Sequence, residues 1–106
     1  MDAHELAEER SLAYHATVAE RLRAEPARVE QARARVLEWL EAGWPHVHYA
    51  RAWNEILAKS LDEICAALVD RSERARALRQ TTPFAGFLPP RERWAIWQSV
   101  RQKMAG

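Results

Sequence analysis

The sequence predicts an all-α protein, a compact irregular bundle of about five to six short helices. Apolar residues recur at helical spacing along nearly the whole chain. The alternating apolar and polar runs that are typical of strands do not occur. The 106 residues, 48% of them hydrophobic, suit one domain of ordinary size and leave no room for a second.

A first helix is expected from about Leu6 to Ala24, where apolar residues repeat along one face. Pro26 ends this helix, since proline disfavours the helical conformation in the residue before it. Pro26 also suits the first turn of a second helix, and Gly43 supplies a glycine stop at its end.

A third helix is expected after Gly43-Trp44-Pro45, with Trp53 on its apolar face. Ser60 interrupts it and forms a capping box with Glu63, which starts a fourth helix. That helix carries the single cysteine, Cys65, on its apolar stripe. Because one thiol cannot form an internal disulfide, Cys65 indicates a reducing compartment.

Two more helices complete the prediction. Asp70 and Glu73 repeat the capping-box spacing and open a short fifth helix that ends near Gln80. Pro90, placed in a first turn, opens the sixth helix. The sixth helix bears Trp94, Trp97, Val100 and Met104 at helical spacing.

The chain divides into an acidic N-terminus and one folded unit. Residues 1–10 are a candidate for disorder, and residues 11–106 are expected to form the single helical domain. The N-terminus lacks the basic and apolar regions of a secretory signal. No stretch reaches the roughly 18 apolar residues that a membrane span needs. We therefore expect a cytoplasmic protein that does not contact a membrane.

Charge is distributed unevenly along the chain. Sixteen basic residues against 15 acidic ones give a net charge of +1, too little to predict nucleic-acid binding from the total. The segment Arg71–Lys103, however, holds eight basic residues and two acidic ones, a local excess of +6. Most of the basic residues are arginine, which suits bidentate pairing with carboxylate or phosphate.

The segment Ser72–Trp97 carries the most specific pattern. An arginine-rich helix breaks at Thr82-Pro83-Phe84-Ala85-Gly86-Phe87, and the chain restarts after Pro89-Pro90 as a tryptophan-bearing helix. Two Phe residues in a loop must be buried, and the domain's own core is favoured over a partner. Trp and Arg are also enriched where proteins bind each other. The candidate partner-binding residues are Arg74, Arg76, Arg79, Phe84, Phe87, Arg91, Arg93, Trp94 and Trp97.

A DNA-binding transcriptional regulator is one alternative. The two short helices within Leu61–Gln80 have the layout of a helix-turn-helix, in which the second helix enters a major groove. The connection at 69–72 has no glycine, and the arginines of the second helix spread over roughly 200° of the helical wheel. The side chains that would meet phosphates or base edges are Arg74, Arg76, Arg79 and Gln80.

Catalytic and metal-binding patterns are weak. His46 and His48 lie two residues apart, on different sides of a helix, and no Cys pair or HExxH pattern accompanies them. No nucleophile elbow, P-loop or dinucleotide loop is present. Arg10 and His15 match the Arg-x4-His spacing of the all-α HEPN ribonucleases, but this composition gives about 1.6 such matches by chance. We expect no enzyme, metal or cofactor, with an HEPN-like ribonuclease as the second alternative.

Several segments resemble small bacterial proteins that are encoded beside a toxin gene or fused to a DNA-binding domain. The segments are SLAYHATVAERLR, WNEIL, SERARALRQTTPFAG and PRERWAIW, within Ser11–Gln102. The resemblance implies an antitoxin of a toxin–antitoxin pair, whose protein partner is the cognate toxin. It carries over no catalytic residue. Unlike the fused members, this chain has no separate helix-turn-helix ahead of Ser11.

Overall fold

The computed structural model describes residues 2–43 and 47–105, and the regular structure in those ranges is helical throughout. One 3-10 turn, Pro26–Arg28, accompanies six α-helices there. The α-helices are α1 (Ala3–Ala24), α2 (Val29–Glu41), α3 (Val47–Leu57), α4 (Leu61–Leu68), α5 (Glu73–Gln80) and α6 (Pro90–Ala105). The predicted all-α bundle is confirmed.

Local sequence signals set several helix ends. The hydroxyl of Ser60 accepts the N–H of Glu63 at 3.2 Å, as the capping box predicts. Gly43, just past α2, has a φ of 65°, a left-handed conformation that glycine adopts without strain. Pro26 opens the 3-10 turn that leads into α2, so α2 itself begins three residues later than expected.

The first helix begins earlier than predicted. The carboxylate of Asp2 accepts the N–H of Glu5 at 2.8 Å and caps α1, which starts at Ala3. Aspartate at the N-cap also interacts favourably with the positive end of the helix dipole. As a result α1 includes residues 3–10, which are most of the segment 1–10 that the sequence makes a candidate for disorder.

The fifth helix is capped by a different residue from the one predicted. Ser72, not Asp70, is the N-cap of α5, and its hydroxyl accepts the N–H of Ala75 at 3.2 Å. Asp70 instead accepts the N–H of Ser72 at 2.8 Å, which fixes the backbone just before the cap. The short α4–α5 connection is therefore held by two side chains in sequence.

The core lies where the long α1 crosses the other helices. α1 packs against α4, α5 and α6, while α2 packs against α3. Trp53 of α3 is buried at the centre, and its indole N–H donates to the Leu78 carbonyl of α5 at 3.1 Å. The other fully buried aliphatic side chains include Val18, Leu22, Val36, Leu57, Ile64, Leu68 and Leu88.

A turn over residues 81–89 joins α5 to α6. The Phe87 N–H donates to the Phe84 carbonyl at 3.1 Å, and Gly86 has a φ of 81°. Since Ala85 has no positive φ, this is a type II β-turn, which needs glycine at its third position. The turn reverses the chain so that α6 lies along α1, and this placement builds the surface described below.

Candidate functional site

The structure divides the predicted partner-binding residues into a buried set and a surface set. The buried residues are Arg79, Phe84 and Phe87. The residues at or partly at the surface are Arg74 and Arg76 on α5 and Arg91, Arg93, Trp94 and Trp97 on α6. Only the surface set is available to a partner in this fold.

Arg79 holds the end of α4. Its side chain is inside the domain, with 6% of the residue exposed. Nη1 donates to the Asp70 carbonyl at 2.5 Å and to the Leu68 carbonyl at 3.4 Å. These carbonyls follow or end a helix and would otherwise lack partners. Burial lowers the pKa of Arg79. The assignment of Arg79 to a partner surface is corrected, because its donors are used inside the fold.

The two Phe rings of the turn belong to the core. Phe84 is fully buried and Phe87 nearly so. Their ring centroids lie 5.0 Å apart in an edge-to-face arrangement, and Phe84 makes a similar contact with Trp53 at 6.1 Å. The assignment of both Phe residues to a partner surface is corrected, and burial in the domain's own core, the favoured alternative, is what the structure shows.

Side chains from α1 and α2 satisfy the carbonyls of this turn. The Tyr14 hydroxyl donates to the Phe84 carbonyl at 2.6 Å. Arg35 Nη1 donates to the Pro83 carbonyl at 2.9 Å and to the Ala85 carbonyl at 2.7 Å. The sequence offered no local signal for these contacts, because the partners lie 48 to 70 residues apart.

Replacing Arg35 with alanine should lower the free energy of unfolding by about 1–2 kcal/mol, because two charge-assisted hydrogen bonds to the turn are lost. Arg51→Ala is the matched control, since Arg51 is exposed and forms no ion pair among the described residues. Urea unfolding followed by circular dichroism measures the free energy of unfolding of each variant. Equal stabilities of the two variants would contradict the role given to Arg35.

His15 is buried in a hydrogen-bond network below the turn. Nδ1 lies 2.7 Å from the Ser11 carbonyl, which can only accept, so Nδ1 carries the proton. Nε2 then accepts from the Thr82 hydroxyl at 2.8 Å, and that oxygen accepts the Phe84 N–H at 3.0 Å. Burial lowers the pKa of His15 to about 4, because it disfavours the charged ring. The hydrogen bond to the Ser11 carbonyl raises this pKa, and the nearby charge of Arg79 lowers it further. Both ring nitrogens are engaged, so neither is free to take a proton from a substrate.

A basic aromatic surface forms where α6 lies on α1. Trp94 is 62% exposed. Trp97 is half-buried, with its ring 6.3 Å from that of Tyr14. The guanidinium carbon of Arg10 lies 5.9 Å from the centre of the Trp97 ring, within reach of a cation–π contact. We name this surface the α1–α6 face and define it by Arg10, Arg93, Trp94, Trp97 and Arg101.

Arg10 and Arg101 are the two members of this face that are absent from the predicted partner-binding residues. In the sequence, the spacing of Arg10 to His15 indicates a catalytic motif rather than a binding surface. Arg10 precedes Tyr14 by four residues, so both project from one side of α1. That spacing is the signal in the sequence that could have placed Arg10 beside a residue of the buried face.

The arginines of the α1–α6 face carry uncompensated charge. None of them has a carboxylate within 4 Å in the described part of the chain. On α5 and the link before it, two of the arginines are paired with acidic residues. Arg76 lies 3.5 Å from Glu8 and Arg71 lies 3.1 Å from Glu9, so acidic residues of α1 neutralise both.

The pairing of these arginines with acidic residues affects the helix pair α4–α5, which is the candidate DNA-binding element. Of its arginines, Arg71 and Arg76 are paired with acids and Arg79 is buried. Among the described residues of α5 and the link before it, only Arg74 is an exposed arginine without a carboxylate partner. It lines a groove between α5 and α3. The pair therefore presents little free positive charge to phosphates.

A cleft of about 380 Å³ opens beside the α1–α6 face, between α1, the 81–89 turn and α6. We name it the basic cleft. Arg10, Arg79 and Arg93 line it, and no Asp or Glu does. Trp97 and Arg10 also line a neighbouring hollow of about 270 Å³ that extends to Trp94 and Arg101. The face and the cleft are therefore one continuous, positively charged region.

The described residues offer no metal site. Within 2–43 and 47–105, no three His, Cys, Asp or Glu side chains are placed to hold one ion. Of the two histidines considered for a metal, His46 lies outside the described residues, and the ring of His48 lies 4.0 Å from that of Tyr49. In the same two ranges, every helix is too short or too polar to cross a membrane.

No protein-family model, curated protein or solved structure matches this chain. The α1–α6 face and the basic cleft are therefore the features of the molecule that bear on its function.

Proposed function

We propose that this protein is an antitoxin-like interaction protein that binds and neutralises a cognate toxin through the α1–α6 face. The observation that carries the proposal is Trp94, 62% exposed beside arginines that have no carboxylate partner in the described residues. Exposed tryptophan and arginine are the residues that most often anchor protein interfaces.

The expected mechanism is steric and electrostatic. Trp94 enters an apolar pocket of the toxin and is desolvated there, while Arg93 and Arg101 form charge-assisted bonds with carboxylates around that pocket. Charge complementarity also speeds the encounter and disfavours basic partners. The toxin-binding part of the proposal draws on the resemblance of Ser11–Gln102 to small proteins encoded beside toxin genes.

The first experiment is purification of the tagged native chain from its own host at moderate salt, with mass spectrometry of what elutes. We expect one small protein, encoded by a neighbouring gene, in stoichiometric amount. Expressed alone, that protein should arrest growth. Recovery of nucleic acid without such a protein would contradict the antitoxin role and favour the regulator, whose affinity for DNA would fall steeply with salt.

Trp94→Ala should weaken binding to the recovered protein by about 30-fold or more, because an interface anchor is worth about 2 kcal/mol or more. The substitution should leave the melting temperature nearly unchanged, since Trp94 is mostly exposed. Isothermal titration calorimetry measures the affinity, and thermal unfolding measures the stability.

Leu37→Ala is the matched control for this prediction. Leu37 is 51% exposed on α2, away from the α1–α6 face, so its truncation also removes a large exposed apolar side chain. We expect wild-type affinity from this variant. If Leu37→Ala and Trp94→Ala weaken binding equally, the α1–α6 face is not the binding surface. Trp97→Ala is a poorer test, because Trp97 packs on Tyr14 and its loss also affects folding.

A further inference from the structure

We infer that the basic cleft binds a small oxyanion, a carboxylate or a phosphate, attached to an apolar or aromatic body. The cleft lies between α1, the 81–89 turn and α6, and its volume of about 380 Å³ is in the range of small-molecule sites. This site goes beyond the proposed interface, because it is an open cleft for a small group rather than an exposed anchor.

The charge of the cleft fits an anion. Three arginines, Arg10, Arg79 and Arg93, line it without an acidic residue. Arg79 contributes its charge rather than donors, because it is buried and its Nη1 is used by the Leu68 and Asp70 carbonyls. Two acidic residues directly precede Arg10 in the sequence. Glu9 is paired with Arg71 at 3.1 Å, and Glu8, which lines an adjoining small pocket, is paired with His4 at 3.0 Å and Arg76 at 3.5 Å. The positive charge of the cleft therefore has no counter-charge in its own wall.

The hydrogen-bonding capacity of Arg10 is not fully used inside the fold. Its Nε is buried and donates to no group in the described protein, the only buried side-chain nitrogen or oxygen there without a partner. A buried, unsatisfied donor on a charged group is costly, and native proteins rarely leave one. Arg10 also lines the cleft, and an oxyanion there is an acceptor that the exposed part of an arginine guanidinium binds with favourable geometry.

Neutral donors supplement the arginines. Ser11 lines the cleft, and its hydroxyl makes no hydrogen bond among the described residues. Ala85 and Gly86 lie at the rim formed by the turn, and their backbone N–H groups donate to nothing in the described chain. The Thr82 hydroxyl is already used by His15 and Phe84. The cleft thus offers donors and no free carboxylate.

An ion alone would leave most of the cleft unfilled. One water takes about 30 Å³ of liquid volume, and a carboxylate or phosphate group is only a few times larger. The remaining wall is formed by Ala7, Tyr14, Ala85 and Trp97, which present mainly apolar surface. A ring or alkyl group joined to the oxyanion would cover this wall and gain the free energy of apolar burial.

The test uses the isolated full chain and four probes: acetate, phenylacetate, inorganic phosphate and phenyl phosphate. ¹H–¹⁵N NMR follows the Arg10 Nε–H and the Trp97 indole N–H during each titration. We expect both signals to shift, with a Kd of about 1 mM or tighter for the phenyl probes. The ring should improve affinity about tenfold over the bare ion, because it buries apolar wall.

Arg93→Gln and Arg10→Gln should each weaken the phenyl probes about tenfold or more, because a charge-assisted bond is lost. Arg93 is exposed, so its variant keeps the fold even if the Arg10 variant does not. Arg51→Gln, the exposed control on α3, should leave affinity within about twofold.

The two oxyanions distinguish the source of the natural ligand. Tighter binding of phenyl phosphate supports the site and identifies a phosphorylated small molecule as its ligand. Tighter binding of phenylacetate also supports the site and identifies a carboxylate, such as an acidic side chain of a bound protein. The inference is overturned if no probe shifts the Arg10 signal, or if both glutamine variants bind as the wild type does. The titrations contain no toxin, so their result does not depend on whether the protein is an antitoxin.

Discussion

Replacing Phe84 with alanine should lower the free energy of unfolding by about 3–5 kcal/mol, a large fraction of the stability of a domain of this size. The ring is completely buried and packs edge-to-face on both Trp53 and Phe87. Its removal leaves a cavity beneath the 81–89 turn, and the surrounding side chains can only partly collapse into it. Chemical denaturation followed by circular dichroism gives the value, because a domain of this length is expected to unfold in one step.

Phe84→Leu is the control for this prediction. Leucine keeps most of the buried volume, so we expect a loss of about 1.5 kcal/mol or less. A loss below 1 kcal/mol for Phe84→Ala would show that the ring is not a core residue. The turn would then return to the set of partner-binding candidates from which its burial removes it.

Stability should fall by about 3 kcal/mol as the pH drops from 7 to below 4, through His15 alone. The pKa of His15 is lowered from 6.5 to about 4 in the folded state, chiefly because burial disfavours the charged ring. Between these values the unfolded chain binds a proton that the folded chain does not. The stability from the neutral ring is therefore complete above about pH 6.5 and lost as the pH falls towards 4.

The clearest window for this measurement is pH 7 to pH 5, where the loss through His15 should be about 2 kcal/mol. Carboxylates contribute mainly at lower pH, and Arg21 lowers the pKa of Glu92 further, so the stability from that pair is lost below the window. His15→Gln is the control, because glutamine can still donate to Ser11 and accept from Thr82 without titrating. Parallel pH profiles for the two proteins would contradict the buried, neutral histidine.

Helix ends were predictable because the signals that set them are local. Gly43 and Ser60 act on the residues next to them, and both were located from the sequence. Where prediction differed, a stronger local group was present nearby. Asp2 caps α1 ahead of the expected start, and Ser72 replaces Asp70 as the cap of α5.

The buried polar contacts could not be predicted, because they join residues far apart in sequence. Arginine gives the clearest case, since the sequence cannot show whether a guanidinium meets a carboxylate, a carbonyl or solvent. Arg33 Nε donates to the Leu57 carbonyl at the end of α3 at 2.8 Å, and Arg79 does the same for α4. Both arginines donate to carbonyls of a last helical turn, which have no hydrogen-bond partner within the helix. The abundance of arginine is thus partly structural and is weak evidence for nucleic-acid binding.

Sorting the arginines by partner narrows the functional candidates. Those that face helix ends, the turn or acidic side chains are used within the domain. Those of the α1–α6 face, Arg10, Arg93 and Arg101, have no carboxylate within 4 Å in the described residues. Trp94 lies among them and is mostly exposed. Arg51, Arg74 and Arg91 also have no carboxylate within 4 Å among the described residues, but they line neither the basic cleft nor the hollow beside Trp94. The sequence pattern predicts Arg93, Trp94 and Trp97. The packing of α6 on α1 adds Arg10 and Arg101, and the contacts of Arg79 with the end of α4 remove Arg79.

Neutralisation of the partner in cells tests the central proposal most directly. Cells that express the co-purified partner are supplied with the native chain, Leu37→Ala or Trp94→Ala, at matched levels confirmed by immunoblot. The proposed role of the α1–α6 face predicts that the native chain and Leu37→Ala restore growth, and that Trp94→Ala does not. Restoration of growth by Trp94→Ala to the native level would contradict it.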